Sequence, residues 1–245
     1  IQGSDGHRMM VLLRLGLTGA LWGLAGLGGL RRMRNGRWDV TAGALALVPL
    51  PLFAVQAYGG EMLLRIALFS LPFTALLVAL LVLPRPSVTT GPVARLIVFV
   101  LAFSMMVGFV VTRYGNERIE SFSKDEIAGV AKLYEVAPPG SLLIGIVGNL
   151  PWKSVGYESY RYRPNGDDTY FEQLDAMMTV IRDHDGPAYL ILTRGQEAYI
   201  QMILNKPASA WDAFVQTVMA TGRFTVVYRN PDAMIARYVP AATTP

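Results

Sequence analysis

Residues 94–126, ARLIVFVLAFSMMVGFVVTRYGNERIESFSKDE, decide the architecture: an apolar run over 94–113 passes without a break into polar sequence at Tyr114. A bilayer core takes roughly 20 apolar residues per helix, and runs of about 18 or more rarely arise for another reason. Toward the N-terminus, 9–30, 39–58 and 61–83 reach or approach that length. The sequence therefore predicts a transmembrane helical region over 1–113 with four spans, followed over 114–245 by a compact domain held against one bilayer face.

Composition and charge agree with two regimes. The 245 residues are 52% hydrophobic and 16% charged, with 22 Lys and Arg against 18 Asp and Glu, and a mean hydropathy of +0.35. The charge is informative locally. Arg31, Arg32, Arg34 and Arg37 separate the first two apolar runs, and Arg85 and Arg95 flank the loop between the third and fourth. The positive-inside rule puts both loops in the cytoplasm. The N-terminus, the Tyr58-Gly59-Gly60-Glu61 turn and everything after Arg113 then face outward, giving a multi-pass cell-membrane protein with an extracytoplasmic C-terminal domain. The juxtamembrane position already accounts for the arginine run, so no nucleic-acid partner is inferred. The absence of Cys excludes disulfides and Cys-based zinc sites, and two histidines, His7 and His184, do not make a metal cluster. No cofactor can be named from these residues. The first span is followed by a basic flank rather than a small-residue cleavage site, unlike a signal peptide. The chain opens Ile1-Gln2-Gly3 and enters its first span almost at once, as expected of the C-terminal part of a longer protein.

Gly16, Gly19, Gly23 and Gly26, with Gly28 and Gly29, give the first span a small-residue surface suited to close helix packing, within the chain or against a membrane-protein partner. Pro49 and Pro51 should kink the second span or open a cavity there. Glu61 and Arg65 stand four apart on one face of the third, and Pro72 is expected to break that helix. Charges at that depth pair and snorkel to the outer interface, or hold a charged headgroup or substrate.

Past the fourth span, Ser123-Lys124-Asp125-Glu126 forms a capping-box pattern, and the helix it opens should end before Pro138-Pro139-Gly140. Strands are predicted over 141–147, 188–193, 224–229 and 233–239, the last two joined by a turn at Asn230-Pro231-Asp232. A second helix capped by Asp167 or Asp168 runs to about Asp183, and 196–219 is helical with a break near Pro207-Ala208-Ser209; 241–245 is a tail. This order predicts a small α/β sandwich with a mostly parallel sheet and a C-terminal antiparallel hairpin.

Ligands in open α/β sheets collect beyond the carboxyl ends of the strands. That edge should carry Gly148-Asn149-Leu150-Pro151-Trp152 and Thr193-Arg194-Gly195-Gln196, next to a loop with Tyr157, Tyr160, Arg161, Tyr162 and Arg163. Aromatics interleaved with cations and amides suit a sugar ring, an outer-leaflet headgroup or plain loop packing. Trp152 and Tyr157 are the candidate binding residues. Gly145 and Gly148 do not make a phosphate-cradling loop. His184 reads as a residue at a helix C-terminus, favoured there by the macrodipole, and Asp167-Asp168 as helix caps rather than a metal pair.

Ala57-Tyr58-Gly59-Gly60-Glu61-Met62-Leu63-Leu64-Arg65, with Phe69-Ser70-Leu71-Pro72-Phe73, and then Tyr114-Gly115-Asn116-Glu117, Lys132-Leu133-Tyr134 and Ala137-Pro138-Pro139-Gly140-Ser141, resemble large multi-spanning proteins of high-GC Gram-positive bacteria. Those proteins are similar to GT-C-type membrane glycosyltransferases, in which a helix bundle carries a C-terminal extracytoplasmic domain. The resemblance implies a cell-envelope role handling polyprenyl-phosphate-linked sugars and a glycan acceptor, with Glu61, Arg65, Tyr114, Asn116 and Glu117 around the outer mouth. There a carboxylate can orient an acceptor hydroxyl, an arginine can hold a lipid phosphate bidentately, and Asn116 can fix a sugar hydroxyl. The class places its catalytic acid in an early outer loop with no counterpart in this sequence, so the catalytic residue stays unassigned and is expected upstream. The alternatives are a membrane-anchored module whose outer domain binds a polysaccharide or a protein, and a structural subunit packing through its first span.

Overall fold

The computed structural model describes residues 3–52, 59–82, 91–152, 156–164 and 169–240, with the side chains of 59–64 left aside. It divides into a helical unit, Met10–Gly115, and an α/β unit, Ile1–Met9 with Asn116–Pro245.

Among the described residues, the first part of the chain contains α1 (Asp5–Arg34), α2 (Val40–Leu47), α3 (Gly59–Val82) and α4 (Pro92–Tyr114). Among the described residues three stretches are long and apolar enough to cross a membrane: Asp5–Arg34, Arg65–Val82 and Pro92–Tyr114. At 1.5 Å per residue α1 is about 45 Å long, more than the roughly 30 Å hydrocarbon core. The 39–58 stretch differs from expectation. Its described part is the eight-residue α2, followed by turns over 48–51 in which Leu50 N donates to Leu47 O. Pro49 and Pro51 lack amide donors, so the regular helix is interrupted over 48–51, and Leu52 is helical again; residues 53–58 lie outside the described set.

Pro72 does not break α3, which runs through it. The Thr74 hydroxyl donates back to the Ser70 and Leu71 carbonyls, both at 3.0 Å, just after the proline. Ser70 in turn donates to Ala46 O at 2.9 Å, a buried link between α3 and α2. Of the glycines in α1, Gly28 is the packed one: a Cβ there would collide with the Leu77 carbonyl of α3. Gly16, Gly19, Gly23, Gly26 and Gly29 face open space. Arg14 Nε donates to Thr112 O at 2.9 Å, tying α1 to α4.

After a short turn of helix α5 (Glu117–Glu120), the second unit contains α6 (Lys124–Val136), β1 (Leu142–Ile144), β2 (Arg161–Arg163), α7 (Leu174–Arg182), β3 (Ala188–Thr193), α8 (Arg194–Met202), α9 (Ala208–Ala220), β4 (Phe224–Arg229) and β5 (Ala233–Tyr238). The sheet order is β2-β1-β3-β5-β4. β1 pairs in parallel with β2 and β3, while β5 pairs antiparallel with β3 and β4. The sheet is therefore mixed, with the hairpin docked through β5 and β4 at its edge.

Alternation along the central strands fills two cores. Leu142, Ile144, Leu190 and Leu192 point to one face with Met177, Ile200, Trp211 and Phe214. Leu143, Tyr189, Ile191 and Ile235 point to the other, against Val130 and Leu133 of α6. β1 and β3 are buried at every position, as strands covered on both faces must be.

The Ser123 capping box forms, and α6 ends at Val136, ahead of Pro138. α7 begins later than the 167–168 caps require, after Gln173, and those aspartates lie outside the described residues. The 196–219 stretch is two helices, α8 and α9, divided ahead of Pro207. β2 was not expected at all, being three residues long with two arginines in it.

Candidate functional site

The carboxyl ends of β1 and β3 meet over a buried polar hub. Glu126, fully buried, is the distal half of the capping box. Its Oε2 accepts from Ser123 N at 2.8 Å and from Arg194 Nη2 at 3.1 Å, and its Oε1 from Gly195 N at 2.6 Å. A carboxylate out of water needs such partners, and the positive end of α8 supplies two of them. Gly195 is small for a reason: a Cβ there would stand 2.8 Å from Glu126 Oε1.

Gln196, also fully buried, accepts from Ile146 N at 2.6 Å and donates to Ile191 O at 3.0 Å. Asn149 Nδ2 donates to Gly195 O at 3.0 Å. The loop after β1 and the start of α8 are thus one locked piece. No residue intervenes between β3 and α8: Thr193 ends the strand and its hydroxyl caps the helix by accepting from Gln196 N.

Beside this hub lies a cleft of about 230 Å³, lined by Arg194, Glu197, Asp212, Arg229 and Asp232, with Trp211 at its wall. The turn that carries Asp232 is fixed by Asn230, whose Oδ1 accepts from Asp232 N at 3.1 Å and Ala233 N at 2.7 Å, while its Nδ2 donates to Asp125 O at 2.8 Å. Arg194 Nε is buried without a hydrogen-bond partner among the described residues, and Asp232 Oδ2 stands 4.0 Å from it. Arg229 and Asp212 are exposed at the rim. Two guanidinium groups and three carboxylates around a small open space suit a neutral ligand with paired hydroxyls. Sequence reading reached Arg194 and the Asn230 turn but not Glu197, Asp212 or Arg229. They gather only because β5 inserts beside β3.

The aromatic loop is placed differently from a sugar platform. Trp152 is 4% exposed and packs edge-on against Tyr162 at 5.3 Å, so neither of its faces is open. Tyr157 is 43% exposed, with one face stacked on Tyr162 at 4.4 Å. The hydroxyls turn inward: Tyr134 donates to the Trp152 carbonyl and meets the Tyr162 hydroxyl at 2.9 Å, and Tyr160 donates to Ala137 O at 3.2 Å. Burial, then the bond to Tyr134, pushes the Tyr162 phenol well above its ordinary range. The Tyr134 phenol is raised by burial, with its bond to Tyr162 acting the other way.

The remaining expected site residues are dispersed. Tyr114 is 56% exposed in the helical unit, with Arg113 5.5 Å above its ring. Arg65 is exposed on α3, and the Glu61 side chain lies outside the described set. Asn116 belongs to the α/β unit and is buried, its Nδ2 3.3 Å from His7 Nδ1 and its Oδ1 without a hydrogen-bond partner among the described residues. Glu117, exposed, opens α5. His184 lies beyond the end of α7, its Nε2 3.1 Å from Gly140 O, so it joins two turns rather than closing a helix. Among the described residues no group of three or more His, Asp or Glu is arranged to hold a metal ion. Comparison with known protein families, curated proteins and solved structures finds no match to this chain.

Proposed function

We propose that this chain is the C-terminal part of a GT-C-like, multi-pass protein of the bacterial cell envelope, with four spans and an extracytoplasmic α/β domain, and that it handles polyprenyl-phosphate-linked sugars. The cleft at the end of β3 is the observation that supports the reading best. Its volume is below the roughly 300–1,000 Å³ of drug-sized pockets, which suits a single sugar ring. Guanidinium forks donate to adjacent hydroxyl oxygens, carboxylates accept from hydroxyls, and both geometries are available at Arg229, Asp212 and Asp232. Three long apolar helices supply the bilayer attachment. In this reading Arg65 and Tyr114, exposed in the helical unit, are the residues offered to a lipid-linked donor, and the catalytic acid stays unassigned.

A second reading, a membrane-anchored module that binds a polysaccharide without acting on it, draws on the hub. Glu126 and Gln196 have their hydrogen bonds engaged inside the fold and hold the cleft's wall in place for a ligand. Binding of polyprenyl-phosphate hexoses to the full chain in nanodiscs tests both readings, with bare polyprenyl phosphate as the control. Sugar-dependent binding that weakens about tenfold or more in Arg229→Ala and Asp212→Asn is expected. Equal binding of the bare lipid refutes the sugar reading, and binding of free glycan in preference to the lipid-linked sugar selects the second.

A further inference from the structure

The corner between α1 and α2 carries a second, separate site. α1 ends in a Schellman turn: Gly36, at φ +73°, donates to Met33 O at 2.9 Å, and Arg37 N donates to Arg32 O at 3.0 Å. That turn places four arginines around one corner, and they are not equivalent. Arg32 is consumed by Asp39, which accepts from its Nε and from its Nη2 at 3.1 Å. Arg31 Nη1 donates to Leu81 O at 2.7 Å, at the end of α3. Arg34 and Arg37 are exposed and have no hydrogen-bond partner among the described residues. Asp39 is held by Arg32 and also faces the charge of Arg37, so one described carboxylate stands against four arginines and the corner keeps a net positive charge.

Two grooves run from the same corner, the smaller apolar and the larger of mixed character. One, about 160 Å³, is lined by Gly29, Met33, Gly43 and Leu77; the other, about 400 Å³, by Leu45, Phe73 and Leu76. Trp38, Asp39 and Val40 border both. Trp38 is 68% exposed, an amphipathic ring of the kind that settles at the membrane–water boundary. Free cations next to these grooves are complementary to one class of molecule, an amphiphile with an anionic head.

We propose that this corner binds an acidic phospholipid, its phosphate held by Arg34 and Arg37 and an acyl chain lying along α2 in the grooves beside Trp38. A soluble anion would not use the grooves, and in a zwitterionic lipid the headgroup cation offsets the phosphate that the arginines would hold. The site belongs to the helical unit and does not depend on the sugar reading.

The test is native mass spectrometry of the full chain released from vesicles of equal phosphatidylglycerol and phosphatidylcholine. Preferential retention of one phosphatidylglycerol is expected. Arg34→Ala/Arg37→Ala should lower it about thirtyfold, the worth of two cations beside an anionic headgroup. A side chain at Gly43 meets nothing within 4 Å, so Gly43→Leu projects into the smaller groove without disturbing the helix and should also reduce retention. Equal retention of both lipids, or retention unchanged in the arginine double variant and in Gly43→Leu, overturns the proposal. So does displacement of the bound phosphatidylglycerol by an equal amount of polyprenyl phosphate, which would assign the corner to the carrier lipid.

Discussion

Replacing Glu126 with Leu probes whether one buried carboxylate holds α6 to the start of α8. The substitution is close in size, so cavity formation is a minor term. It removes the acceptor of the Ser123 and Gly195 amides and the anionic partner of Arg194. A buried amide left without an acceptor costs about 1–3 kcal/mol, and breaking a buried pair costs about 3–5 kcal/mol. These overlap, and the Arg194 share is discounted because its side chain is 34% exposed. Burying leucine carbon in place of a carboxylate returns about 1–2 kcal/mol. The net expectation is a loss of about 3 kcal/mol, a large part of the roughly 5–15 kcal/mol that stabilises a domain. Glu126→Gln keeps one carbonyl acceptor and should lose less. Urea unfolding of the full chain in detergent, followed by Trp152 and Trp211 fluorescence with Trp22 and Trp38 changed to Phe, reads the difference. If Glu126→Leu unfolds within about 1 kcal/mol of the parent, the hub does not carry the stability assigned to it.

In α1, Gly28→Leu should destabilise the helical unit because its side chain meets the Leu77 carbonyl, while Gly23→Leu, in open space, should leave thermal melting unchanged; equal effects would refute the packing. Trp152→Ala should cost about 3–5 kcal/mol as a core truncation, whereas Tyr157→Ala, on a half-open ring, should cost clearly less in the same urea titration. The Tyr162 phenol, raised in the folded state, gives stability that is fully present below the unfolded value of about 10 and is lost as pH rises above it. Tyr162→Phe should flatten that alkaline loss, measured as the urea midpoint against pH.

What could be read from the chain was what is local. The Ser123–Glu126 box, the stop before Pro138 and the β4–β5 turn each depend on residues a few positions apart, and each formed. The interruption after Leu47 follows from Pro49 and Pro51 in the same way. Long-range pairing was not legible. Nothing near Glu126 announces that Gly195 and Arg194 complete its shell, and nothing in Arg161-Tyr162-Arg163 announces a strand until β1 lies beside it. Trp152 looked like an edge aromatic and is a core residue, because Tyr162 and Tyr134 close over it.

The direct passage from β3 into α8 fixes where the chain can change length. Each residue of an α-helix turns it by about 100°. One residue added between Thr193 and Arg194 would swing Gln196 away from Ile146 N, part Gly195 from Glu126 and turn Arg194 out of the cleft together. Insertions and deletions are therefore barred at this junction, because a single added residue breaks all three contacts at once.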